Sequence, residues 1–123
     1  MNIEKQVVSL ELAKRLKDLG VKQHSIFYHL IGEIVPRIEA LTLIMGEDWY
    51  SSFTVAELGE MLPVSIVYED YDLTLGMAKW VDNWITLYYE EDSPPPIDFR
   101  ASKLSDSMAL MLIWLIENGY VNV

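Results

Sequence analysis

The sequence predicts an α+β fold: an antiparallel sheet of about four or five strands, three helices, and a C-terminal helix buried inside. Three observations carry this. The chain alternates helix, strands, helix, strands, helix, and its strand-like runs are joined by short turn signals rather than long crossovers. Residues Met108 to Ile116 are nine apolar positions without a break, so a helix here is apolar around its whole circumference and belongs in a core. It is too short to span a bilayer. The 123 residues suit one domain, 1–123, with enough chain to bury a core without metal or disulfide.

The first element is a helix from Ser9, where Leu10, Leu12, Ala13, Leu16 and Leu19 recur at helical spacing, Lys14, Arg15, Lys17 and Asp18 fill the other face, and Gly20 stops it. Ser25 to Ile31 is β-branched and aromatic, which favours a strand. Gly32 turns it into a second strand, Glu33 to Leu43, with Ile34, Ile38 and Leu41 inward and Pro36 requiring an edge or bulge. Gly46 to Ser52 reads as a loop carrying Trp49 and Tyr50. Thr54 followed by Glu57 is a capping box, Phe53 can staple onto Leu58, and Pro63 ends the resulting helix at Leu62.

Strands follow at Val64 to Tyr68, Asp72 to Trp80 and Trp84 to Glu90, with an acidic break at Glu69-Asp70 and a hairpin turn at Asp82-Asn83 that requires positive φ. Asp92 to Asp98, with three consecutive prolines, reads as an extended connector to the last helix. In that helix Ser105 is expected to cap the first turn, Asp106 to face the positive end of the dipole, and Gly119 to make a left-handed stop.

The chain has no cysteine, which excludes disulfides, thiolate metal sites and cysteine nucleophiles. Neither a signal core nor a membrane span is visible, so a cytoplasmic location is expected. The net charge of minus ten is uneven. Residues 1–30 hold five cations against three carboxylates, and the remaining 93 hold four against sixteen. Such a surface repels phosphate backbones and attracts cationic partners, though solubility alone also accounts for it.

Three segments taken together, Ser9 to Gly20, Thr54 to Pro63 and Met111 to Gly119, resemble a family of short, uncharacterised proteins encoded by phages and prophages. The resemblance implies a phage or prophage origin and a small α+β fold, and it brings no catalytic residues. The chain departs from the family at Ser105-Asp106-Ser107-Met108, where an acidic, alanine-rich lead is expected.

The chemical candidates are few. His24 and His29 are five apart, on opposite sides of a strand and about 140° apart on a helix, so with Glu33 they make a poor metal set. A helix-turn-helix with Gln23 to Leu30 as recognition helix fails on spacing, because Gly20 follows Ala13 by seven positions. Glu69 to Asp72 has the density of a calcium loop without its glycine or closing glutamate. No glycine-rich phosphate cradle and no nucleophile elbow is present.

The aromatics Trp49, Tyr50, Trp80, Trp84, Tyr88 and Tyr89 are first of all core material. A hairpin pairing Trp80 and Trp84 with Asp82 and Thr86 on one side must nevertheless leave aromatic area near the surface. The candidate interaction surface is therefore Trp49, Tyr50, Trp80 and Trp84 with Asp70 and Asp72. The expectation is a non-enzymatic phage-type accessory protein that binds another protein, host-encoded or a second copy, with no cofactor, metal or membrane. The alternatives are an acidic nucleic-acid mimic, then a DNA-binding protein, and last a small metal-dependent enzyme.

Overall fold

The computed structural model describes residues 2–30, 33–36 and 49–123. Among them are helices α1 (Leu10–Asp18), α2 (Val55–Met61) and α3 (Leu104–Glu117). The strands are β1 (Phe27–Leu30), β2 (Glu33–Pro36), β3 (Trp49–Ser51), β4 (Ser65–Tyr68), β5 (Tyr71–Trp80), β6 (Asn83–Tyr89) and β7 (Ile97–Ala101). They form two antiparallel sheets, β2-β1-β3 and β4-β5-β6-β7. The fold is α+β, and α3 packs on the larger sheet through β6 and β7, with α1 and α2 against α3 in turn.

α3 is the centre of the core. Met108, Ala109, Met111, Leu112, Ile113 and Leu115 are all buried, because a helix without a polar face has no side to give to water. Phe53 from the segment before α2, Leu58 from α2, and Leu73 and Tyr88 from the larger sheet close around it. α1 and α3 end alike. Val21 and Gly20 N–H donate to Leu16 and Lys17 carbonyls, and Tyr120 and Gly119 N–H to Leu115 and Ile116 carbonyls. These paired bonds, with Gly20 at φ 94° and Gly119 at φ 80°, are Schellman stops that satisfy the last helical carbonyls. α2 has its capping box, Thr54 Oγ1 accepting from Glu57 N–H at 3.2 Å and Glu57 returning to Thr54 N–H at 3.0 Å.

Several local expectations are corrected. Ser105 does not cap α3: Lys103 stands at the N-cap, and the buried Ser105 hydroxyl donates to Val7 carbonyl at 2.8 Å. Trp49, Tyr50 and Ser51 are strand, not loop, because they pair with Leu30, His29 and Tyr28. Between the proline run and α3 lies a strand, β7, where a connector is expected; Phe99 and Ile97 face inward opposite Thr86 and Tyr88. In β2 the buried residue is Val35, opposite Tyr28, while Ile34 is half-buried. Pro36 does lie on an outer strand. The turn at Gly32, the inward positions Ile38 and Leu41, and Gly46 to Asp48 lie outside the described residues.

Among the described residues four non-glycines have positive φ: Asp92, at 62° in the loop between β6 and β7, and three in two hairpin turns. Glu69 and Asp70, at φ 49° and 69°, join β4 to β5 as a two-residue turn with both φ positive, which aspartate tolerates and glutamate does so less readily. The β5–β6 turn is Val81-Asp82 rather than Asp82-Asn83, since Asn83 already pairs with Trp80. Val81 sits at φ 55°, where a β-branched residue is an outlier.

Candidate functional site

The β5–β6 hairpin outgrows the core that supports its other end. Strand alternation gives the larger sheet an inner face, with Ile66, Leu73, Tyr88, Thr86 and Ile97 buried beneath the helices. Towards the turn both faces open. Met77 and Lys79 on the inner side and Ala78 and Trp80 on the outer side are all exposed. Trp80 is 68 % and Val81 77 % exposed, adjacent at the turn, and Met77, on the opposite face of β5, is 40 % exposed. Single exposed apolar residues are ordinary, but two adjacent ones at a strained turn are not.

The six residues proposed as a contact surface fall into three places. Trp49 and Tyr50, on β3, are half-buried and lie under cations of α1: Lys17 Nζ is 4.5 Å from the Trp49 ring centre and 5.0 Å from that of Tyr50. Lys17 also donates to Trp49 carbonyl at 2.9 Å, so this pair is occupied in holding α1 to the small sheet. Trp80 and Trp84 both stand at the hairpin tip but on opposite faces, because Trp84 pairs with Lys79 and Trp80 with Asn83. Trp84 is half-buried, with Lys79 Nζ 5.5 Å from its ring centre, while Trp80 is mostly in solvent rather than in the core. Asp72 is at the far end of β5, about 26 Å along the strand from Trp80, and Asp70 lies beyond it in the β4–β5 turn.

Met77 and Val81 complete the tip and are not singled out by the sequence pattern. Met77 alternates with the core residues Leu73 and Leu75 and is paired with the fully buried Thr86, yet is 40 % exposed itself.

The acidic groups gather on the same sheet. Residues 65–101 hold eight carboxylates against two cations, a net charge of minus six, and seven of the eight carboxylates are exposed. The eighth, Asp98, is paired with Arg100 at 3.5 Å. Of the seven exposed carboxylates only Asp82 stands at the hairpin tip, beside Lys79; the others lie in the β4–β5 turn, at the start of β5 and in the β6–β7 loop, at the opposite end of the sheet.

The two histidines are apart. His24 is exposed on the loop after α1. His29, on β1, contacts Val8 carbonyl at 2.8 Å and Ser52 Oγ at 3.1 Å, both through Nε2. A carbonyl only accepts, so Nε2 carries the proton and cannot take one from Ser52 as a general base. Ser52 is also fully buried, out of reach of a substrate. Burial lowers the His29 pKa, opposed by the Val8 hydrogen bond; Lys103 adds to the lowering and Asp106 opposes it.

The cleft of about 270 Å³ beside His29 is lined by one carboxylate, Glu4, together with Ser9 and Lys103. An acid–base site of one histidine and two carboxylates is not assembled there. Among the described residues no three histidine, aspartate or glutamate side chains gather where they could hold a metal ion. Residues 21–26 are not helical and Phe27 to Leu30 is strand, so the DNA-reading alternative loses its recognition helix. No helix of the described residues is long and apolar enough to cross a membrane.

Comparison of the chain with protein-family models, with curated proteins and with solved structures finds no match.

Proposed function

We propose that the protein acts by binding another protein, inserting the β5–β6 hairpin tip into an apolar recess of a basic partner. The observation that carries this reading is the exposure of Trp80 and Val81 at the turn, with Met77 exposed on the other face of β5. Tryptophan and methionine are the side chains that interfaces favour at their desolvated centre, and the chain's net charge of minus ten steers a basic partner at long range. A second copy of the chain is the less suitable occupant, since each copy carries minus ten. The setting we propose is that of a phage or prophage accessory protein, which rests on the three helical segments that resemble such proteins.

The test compares tagged wild-type protein with a Met77→Ser, Trp80→Ser double variant in pulldowns from lysate at low and moderate salt, with bound proteins identified by mass spectrometry. Both residues are exposed, so the variant should keep its unfolding midpoint nearly unchanged. A basic protein held by the wild type, released as salt rises and lost with the variant, is the expected result. A blank at both salts, or a partner retained equally by the variant, overturns the proposal.

A further inference from the structure

The larger sheet ends on a strand with one neighbour. β7 is outermost, paired with β6, and among the described residues no backbone hydrogen bond leaves its other edge. It holds no proline, and along an antiparallel edge alternate residues turn both N–H and C=O outward. Such a row of groups is a template for one further strand.

Three points decide which strand fits. Ile97 and Phe99 face the core, while Asp98 and Arg100 stand on the outer face with Leu87 and Ile85. A copy of β7 laid antiparallel about Phe99 sets Ile97 opposite Ala101, Asp98 opposite Arg100 and Phe99 opposite Phe99. Every pair then matches, apolar with apolar on the inner face and acid with base on the outer. Within one strand Asp98 and Arg100 are two positions apart and reach each other only at 3.5 Å, whereas directly opposite residues stand about 5 Å apart at Cβ. Finally, the charge that keeps two copies apart elsewhere is reversed at this edge. Residues 97–103 hold Arg100 and Lys103 against Asp98, plus one in a chain of minus ten. The antiparallel arrangement also turns the acidic residues 90–92, which precede β7, towards Arg100 and Lys103 of the other copy.

We infer that β7 is a dimer interface, pairing with β7 of a second copy about a two-fold axis at Phe99 and joining the two four-stranded sheets edge to edge. The symmetry repeats each contact, so the Asp98–Arg100 pair occurs twice. Two charges that would repel an arbitrary strand thereby select this one. The interface shares no residue with the β5–β6 tip, so either reading can fail without the other.

Sedimentation equilibrium of the full chain over roughly 1–500 μM tests this, a range that reveals dimers of modest affinity. The wild type is expected to pass reversibly from monomer to dimer. Asp98→Arg and Arg100→Asp each set like charges opposite one another twice, and each should weaken self-association about tenfold. Both side chains lie on the outer face of an edge strand, so neither change disturbs the core. Mixed in equal amounts the two variants are complementary again and should dimerise as tightly as the wild type. A wild type that stays monomeric throughout, a variant that self-associates as tightly as the wild type, or a mixture no tighter than its components would each overturn the assignment.

Discussion

The two ends of the β5–β6 hairpin obey different rules. At the end away from the turn Leu73 and Tyr88 are sealed in the core, while midway along the hairpin Thr86, its Oγ1 2.7 Å from Ser107 Oγ, is fully buried opposite the exposed Met77. At the turn Trp80 and Val81 are in solvent, and the backbone takes an angle that valine disfavours. The first end is built by packing and the second is built against it. Stability and function should therefore separate along a single pair of strands.

The largest effect that could break this contrast is at the covered end. Leu112→Ala, in α3 at 1 % exposure, should cost about 2–5 kcal/mol in urea unfolding, and Trp80→Ala less than about 0.5 kcal/mol. Equal costs would mean that the tip is structural after all.

Tyr88→Phe comes next. The hydroxyl donates to Pro63 carbonyl at 2.7 Å, and its loss should cost about 1–2 kcal/mol. Burial pushes the Tyr88 pKa up to about 12 from 10.0, so the folded state holds this proton more tightly than the unfolded state does. Its contribution is complete below pH 10.0 and is lost as pH rises towards about 12. Stability of the wild type should fall across that window, and the fall should be shallower in Tyr88→Phe.

Val81→Gly sharpens the contrast from the exposed end. Glycine accepts φ 55° freely, and relief of strain against added freedom in the unfolded chain leaves a gain of up to about 1 kcal/mol. The same change removes apolar area from the tip, so capture of the partner should weaken while the unfolding midpoint rises. Loss of both together would sink the separation of roles.

The smallest effect belongs to His29. Its pKa is lowered below the ordinary 6.5, so the unfolded chain takes up the proton first as pH falls. Stability should be level above pH 6.5 and decline below it, and a His29→Asn variant should lose that decline. Urea midpoints at pH 7.5 and 5.5 decide it.

What the sequence made readable was local. The Thr54–Glu57 box, the glycine stops and the buried α3 depend on residues within a few positions of one another, and the structure has them all. Partner choice across the chain was not readable. β7 alternates over only five residues behind three prolines, and its pairing is decided by β6. The hairpin turn sits one residue earlier than its composition suggests because the Lys79–Trp84 and Trp80–Asn83 pairs set the register. Ser105 looks like a cap in sequence, but Val7, ninety-eight residues away, claims its hydroxyl. The candidate surface was divided for the same reason: Trp49 and Tyr50 are covered by lysines of a helix some thirty residues earlier.

The stitching of residues 4–9 to residues 103–106 has a consequence for the order of events during synthesis. Ser105 holds Val7, Asp106 accepts from Ser9 N–H at 2.7 Å, and Lys103 donates to Glu4 carbonyl at 2.8 Å. None of these bonds, nor the layer that α3 supplies to the sheet, exists until translation has passed residue 106. The earlier strands must wait with their inner face uncovered, a state prone to wrong pairing. A nascent chain halted just before α3 should therefore remain protease-sensitive throughout, and become resistant in one step when that helix is released.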